Sequence, residues 1–177
     1  PNGYYDFKND ELGTVNNRDF VLIGVDGAEK TIFDAGSINR HMNIQGGQTN
    51  KTKIIGITFQ NGYDEYSGGG AIDLHNGSDV QFIDCIFKNN KTDAYNGGGA
   101  VFAWGGATPS FTSCTFENNR GESNAVYGGA VSIHYPNEKD ELNEAIIFRN
   151  TTFTNNYIKA NYNAYGGAIK SERSIKI

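Results

Sequence analysis

The chain has 177 residues, of which 37% are hydrophobic and 12% aromatic but only 20% charged, a balance that can close a core and does not suit a disordered tail. Fifteen Lys and Arg stand against 20 Asp and Glu, a net charge of -5, so the positive field that drives phosphate-backbone binding is missing and nucleic acid is not expected as a partner. With 23 Gly, 3 Pro and 2 Cys, the composition fits frequent tight turns between short strands and fits neither polyproline linkers nor a disulfide scaffold.

The chain opens Pro1-Asn2-Gly3-Tyr4-Tyr5 without a basic region and apolar stretch, which is how a mature or excised piece of a secreted protein would also look. Residues 1–53 are irregular. Within them, Phe20-Val21-Leu22-Ile23-Gly24 and then Thr31-Ile32-Phe33-Asp34-Ala35-Gly36 give a strand, turn and strand, which read as early coils of a stacked fold. The longest apolar runs, Phe20–Ile23 and Ile54–Ile57, are far shorter than the roughly 20 residues that cross a bilayer as a helix, so no membrane-spanning segment is expected here.

From residue 54 the chain repeats itself. Phe82-Ile83-Asp84-Cys85-Ile86-Phe87-Lys88-Asn89-Asn90 returns as Phe111-Thr112-Ser113-Cys114-Thr115-Phe116-Glu117-Asn118-Asn119 and as Phe148-Arg149-Asn150-Thr151-Thr152-Phe153-Thr154-Asn155-Asn156. Ile54 to Gly62 is a weaker first copy. Each copy leads through a polar loop bearing Tyr and Asn to a Gly-Gly-Ala-aliphatic tetrad, at Gly69–Ile72, Gly98–Val101, Gly128–Val131 and Gly166–Ile169. The tetrad alanines Ala71, Ala100, Ala130 and Ala168 are 29, 30 and 38 residues apart, a period near 29 with one insertion around residues 135–146. Its Pro136 and charged residues 138–141 place that insertion outside the core as a protruding loop.

Within a unit the apolar residues alternate over short runs, as in Ile72/Leu74, Val80/Phe82 and Cys85/Phe87, each bounded by Gly, Asn, Asp or Ser. Three such strands cannot bury their apolar side alone, so successive units must coil and stack with each strand on its equivalent. The reading is a single all-β parallel β-helix over residues 1–177, of about six coils, with Phe87, Phe116 and Phe153 stacked inside and Asn90, Asn119 and Asn156 bonded along one turn. Because another unit opens near residue 170, the natural protein is expected to continue, with end-to-end extension of the same solenoid.

The pairing of a Gly-Gly-Ala-Ile type tetrad with Phe-x-x-Asn (Phe87 to Asn90, Phe116 to Asn119, Phe153 to Asn156) resembles the repeats of chlamydial polymorphic outer-membrane proteins and of methanogen adhesin-like proteins. The stretch from Leu22 to Gly62 is also similar to the lead-in of the adhesin-like chains, so the likeness covers about residues 20–177. The resemblance implies a right-handed coil and a secreted, extracellular, surface-displayed protein that attaches to cells, glycans or a protein partner. Right-handed β-helices also include polysaccharide lyases and glycoside hydrolases, which stand as the alternative. One departure is Gly62 where later copies have Asn, which suggests a turn lacking the asparagine contact.

Cys85 and Cys114 fall one coil apart in a column with Ile57 and Thr151, read as an inward packing ladder; a disulfide stays open because parallel neighbours are about 4.8 Å apart while in-register side chains give a poor torsion. His75 and His134 each come four residues after a tetrad alanine, with Trp104 in the same place between them and His41 alone. If Ile72/Leu74, Val101/Ala103 and Val131/Ile133 point inward, then Asp73, His75, Phe102, Trp104, Ser132 and His134 form an outward strip, a platform for a sugar ring or a partner surface unless a loop covers it. Tyr95, Tyr127 and Tyr165 beside the Gly-Gly turns make a secondary surface. Catalysis would need convergent carboxylates or a basic residue, yet the Asp73 column continues Phe102, Ser132, Lys170, and the Asp84 column Ser113, Asn150. Asp64, Glu65 and Asp93 read as turn and solubility residues. No catalytic residue, metal site or cofactor is assigned.

Overall fold

A computed structural model describes residues 3–6, 14–66, 68–134 and 145–177, and among these there are 22 strands and no helix. Residues 135–144, most of the expected insertion, lie outside the described residues. The strands fall into six coils. The first coil holds β1 (Gly3–Asp6), β2 (Thr14–Val15) and β3 (Val21–Ile23), and the second holds β4 (Thr31–Asp34), β5 (Met42–Gln45) and β6 (Thr52–Ile55). The third runs β7 (Thr58–Gln60), β8 (Tyr63–Asp64), β9 (Ile72–His75), β10 (Val80–Ile83), and the fourth β11 (Ile86–Lys88), β12 (Lys91–Thr92), β13 (Val101–Ala103), β14 (Ser110–Thr112). The fifth is β15 (Thr115–Glu117), β16 (Arg120–Tyr127), β17 (Val131–Ile133), β18 (Ile146–Arg149), and the sixth β19 (Thr152–Thr154), β20 (Tyr157–Tyr165), β21 (Ile169–Ser171), β22 (Ile175–Lys176).

Equivalent strands pair in parallel into three six-stranded sheets, β1-β4-β7-β11-β15-β19, β2-β5-β9-β13-β17-β21 and β3-β6-β10-β14-β18-β22, and one four-stranded sheet, β8-β12-β16-β20. This is a parallel β-helix. The fourth sheet departs from the three strands expected per coil. It arises because the polar Tyr/Asn stretch leaves the Asn turn in extended form; in β16 and β20 it stays extended for eight and nine residues, where a loop was expected.

The register puts like residues on like. Phe33, Phe59, Phe87, Phe116 and Phe153 align in the first sheet, and Leu22, Ile54, Phe82, Phe111 and Phe148 in the third. From the third coil onward rings stack face to face along both columns, Phe87 on Phe116 at 4.6 Å and Phe116 on Phe153 at 4.8 Å, Phe82 on Phe111 at 5.2 Å and Phe111 on Phe148 at 5.0 Å. The two columns meet edge to face, as between Phe111 and Phe116 at 5.3 Å. Each such contact is worth about 1 kcal/mol beyond the burial of the rings.

Turn chemistry explains the rest of the repeat. Asn61 and the first asparagine of each later pair, Asn89, Asn118 and Asn155, take a left-handed φ between 52° and 55°, which short polar side chains tolerate. The second enters the core. Asn90 Nδ2 donates to Phe59 O (3.0 Å) and to Asn119 Oδ1 (2.9 Å), Asn119 Nδ2 donates to Phe87 O and Asn156 Oδ1 (2.9 Å each), and Asn156 Nδ2 donates to Phe116 O (2.9 Å). At the preceding turn, Gly56, Asp84, Ser113 and Asn150 are the left-handed residues, so Asp84, the one acid of that column, is a backbone adapter. The tetrad glycines answer to crowding: a Cβ on Gly99 would stand 2.0 Å from Gly129 O, and one on Gly129 2.0 Å from Gly167 O.

At Gly62 the expectation needs correction. Its N–H donates to Asn90 Oδ1 at 2.8 Å, so the turn does receive an asparagine contact, and no side chain fits because a Cβ would meet Gly70 O at 2.1 Å. Gly62 therefore offers nothing to the carbonyl of Phe33 one coil earlier. His41 fills that place. Its ring is buried against Phe59, and Nε2 is 2.9 Å from Phe33 O; since a carbonyl only accepts, Nε2 carries the proton. Desolvation pushes the His41 pKa down to about 4, against weaker opposing pulls from Phe33 O and Asp34, so the ring is neutral.

Candidate functional site

Alternation along the second sheet sets the site. Ile72, Leu74, Val101, Ala103, Val131 and Ile133 are all fully buried inside, and Asn43, Asp73, Phe102, Ser132 and Lys170 align on the opposite face. The strip expected on that face is assembled in register. It is not uniformly open, however: Asp73, Phe102 and Ser132 are 2%, 9% and 0% exposed, His75 and His134 are partly covered, and Trp104 is 44% exposed. An outward direction does not mean contact with water when neighbouring segments fold back over the sheet.

Those segments are tied down by polar bonds. Arg40 pairs with both Asp64 and Asp73, and His75 Nε2 lies 2.9 Å from Asp73 Oδ1. A carboxylate as covered as Asp73 requires such partners, because an unpaired buried charge would cost several kcal/mol. Gly68 packs so closely that a Cβ there would approach Asp73 Oδ2 to 2.5 Å. Two coils on from Asp73, Ser132 Oγ donates to Asn96 O at 3.0 Å. Asp64, read from sequence as a turn residue, is thus half of the clamp, and Arg40 carries no sequence signal at all, since a lone basic residue in an irregular coil has no periodicity to reveal it.

The aromatic side chains form one connected run across the coils. His75 meets Trp104 edge to face at 5.4 Å and Phe102 at 6.4 Å, and Phe102 meets His134 at 5.4 Å. His134 meets Tyr127 at 5.4 Å, and Tyr127 meets Tyr165 at 5.1 Å and Tyr95 at 6.3 Å. Lys170 Nζ stands 4.8 Å over the Tyr127 ring. The outward strip and the tyrosine surface are therefore continuous. The run is covered in its middle and open at its ends, where Trp104, Tyr95 and Tyr165 are 44%, 61% and 51% exposed.

Ser132, His134 and Glu172 invite comparison with a nucleophile, base and orienting acid, since His134 Nε2 is 3.1 Å from Ser132 Oγ and Nδ1 is 3.6 Å from Glu172 Oε1. The proton runs the wrong way. With Ser132 Oγ donating to the Asn96 carbonyl, His134 Nε2 donates to Oγ in place of accepting from it, which is not how a base holds its nucleophile. Burial, with the Lys170 charge, lowers the His134 pKa and keeps the ring neutral.

Cys85 and Cys114 are free thiols packed inside, each Sγ donating to a carbonyl of the previous coil, Ile54 O and Phe82 O, at 3.4 Å. The neighbouring Cys85 sulfur, with burial, raises the Cys114 pKa, so it stays a thiol. The ladder residues Phe87, Phe116, Asn90 and Asn119 are fully buried, while Phe153 and Asn156 of the sixth coil are partly covered.

The fold and its rung chemistry define a β-solenoid of Gly-Gly-Ala and asparagine-ladder coils. Residues 84–103 match the profile of the Chlamydia polymorphic membrane protein repeat, and the matched stretch runs from the left-handed Asp84 through β11, Asn90 and the Gly-Gly-Ala turn to the end of β13. No match was found among curated proteins or among solved structures.

Proposed function

We propose that this chain is a noncatalytic segment of a secreted, cell-surface attachment protein, in which the stiff solenoid presents a glycan- or protein-binding aromatic surface. The observation that carries the reading is the exposed Trp104 ring, braced by His75 at 5.4 Å on rungs whose register fixes its position. A ring held by strand pairing loses little further entropy when it stacks on a flat sugar face or an apolar partner patch. The match of residues 84–103 to a polymorphic membrane protein repeat supports a surface location, and the attachment role rests on the resemblance, read from the sequence motifs alone, to methanogen adhesin-like repeats.

The test is adhesion of the purified chain to cells and to an array of glycans. Trp104→Ala is expected to leave the thermal midpoint nearly unchanged and to weaken attachment by about 1–3 kcal/mol. Release of reducing ends or unsaturated products from polysaccharides by the wild-type chain would overturn the noncatalytic reading in favour of a carbohydrate-active enzyme.

A further inference from the structure

The fourth sheet builds a polar site on the same two strands whose last residues, Tyr127 and Tyr165, belong to the aromatic run. An open groove of about 400 Å³ is lined by Asp93, Glu122, Ser123, Asn124, Lys159 and Asn161. Its wall is the pair β16 and β20, whose register slips: Ser123 faces Ala160, but Ala125 faces Asn163, so two residues of β20 oppose Asn124 alone. A bulge of this kind re-aims side chains. Here Asn161 Nδ2 donates to Asn124 Oδ1 at 2.9 Å, fixing two amides at the groove.

The carboxylates are fixed as well. Lys91 Nζ is 3.0 Å from both Asp93 Oδ1 and Glu122 Oε2, the Tyr63 hydroxyl donates to Asp93 Oδ2 at 2.8 Å, and Arg120 Nε is 3.7 Å from Glu122 Oε1. The Lys91 ammonium holds Glu122 below the usual carboxylate range, so it remains an ionised acceptor in mildly acidic solution.

The charge arrangement selects among ligands. A divalent cation would have to displace Lys91 from both carboxylates, since tight sites need several uncompensated oxygens. An anion would meet Asp93 and Glu122 at short range. A neutral polyol needs neither change: carboxylate lone pairs accept its hydroxyl protons, while amide and ammonium groups donate to its oxygens. The volume falls in the range of small-ligand sites.

We infer that this groove is a subsite for a neutral, hydroxyl-rich saccharide unit, which deepens, and rests on, the attachment role proposed above. Amide proton-nitrogen correlation spectra of the whole chain, titrated separately with methyl α-D-mannopyranoside, methyl β-D-galactopyranoside and methyl β-D-glucopyranoside, test it. Methyl β-D-glucopyranosiduronate and calcium chloride serve as the anionic and cationic probes. At least one neutral glycoside should shift the amides of residues 122–124 and 159–161, and Asn124→Ala and Asn161→Ala should each weaken that binding roughly tenfold while the rest of the spectrum stays folded. Absence of shifts with all three neutral glycosides, or shifts there only with glucuronide or calcium, overturns the proposal. The two readings fail separately. A silent groove with attachment still sensitive to Trp104→Ala sinks the subsite alone, whereas groove binding together with no adhesion to cells or array glycans sinks the attachment role.

Discussion

Acidification should destabilise this fold through His41, and the size of the effect is set by its burial. The unfolded ring titrates near 6.5 and the folded one near 4, so between these values the unfolded chain holds a proton that the folded chain refuses. Stability from the neutral ring is therefore complete above pH 6.5 and falls as the pH drops towards 4. At about 1.4 kcal/mol per pH unit, the loss is about 2 kcal/mol by pH 5 and about 3 kcal/mol by pH 4. Carboxylates add their own pH dependence, so the measurement is a difference. Urea unfolding of the wild-type chain is compared at each pH with His41→Asn, an untitratable replacement whose amide offers the Phe33 carbonyl the same kind of donor that Asn90 gives Phe59. The wild type minus variant difference should be flat above pH 7 and should move by about 3 kcal/mol in favour of the variant on reaching pH 4. Parallel loss of stability by both proteins across that window would refute a buried neutral histidine.

The ladder and the Gly-Gly turns make equally definite predictions. Asn119→Ala removes donors to Phe87 O and Asn156 Oδ1 and an acceptor for Asn90, the first and last of them at buried positions, and should cost about 3–4 kcal/mol in urea unfolding, with Asn119→Asp nearly as damaging because a carboxylate cannot donate. Gly99→Ala should fail to give a folded protein by circular dichroism, since its Cβ would stand 2.0 Å from Gly129 O; Gly77→Ala, with open space but a φ of 71°, should cost only about 1–2 kcal/mol.

What could be read from the sequence was whatever the stacking repeats. Phe87, Phe116 and Phe153 recur because each ring needs a like ring one coil away, and Asn90, Asn119 and Asn156 because each amide serves the backbone of one coil and the amide of the next. The same logic told the two asparagines of each pair apart only once geometry was known. Asn89 and Asn90 are identical letters, but one is a left-handed adapter and the other a buried hydrogen-bond relay. His41 was illegible for the converse reason. It serves the ladder from a different point of its coil, replacing the side chain that Gly62 cannot carry, so no column alignment would have paired it with Asn90.

The outward residues were harder, because strand alternation fixes direction and leaves cover unspecified. Asp73 and Trp104 both belong to the outer side of the second sheet, yet Arg40 and the segment at Gly68 close over Asp73 while Trp104 stays open. The sign of charge held the missing clue. A carboxylate in line with Phe102 and Ser132, on a face otherwise poor in acids, calls for a cation from elsewhere in the chain, and Arg40 meets that demand from an early coil that lacks the repeat. The groove of the fourth sheet obeys the same rule: in successive coils Asp93, Glu122 and Lys159 occupy one row, with Lys91 bridging the two acids. Opposite charges one coil apart hold each other at fixed separation, so a row that varies in sequence is still rigid in space. In a solenoid, binding chemistry is therefore to be sought first in the outward columns that break the repeat and compensate one another, since the inward columns that keep it are consumed by the core.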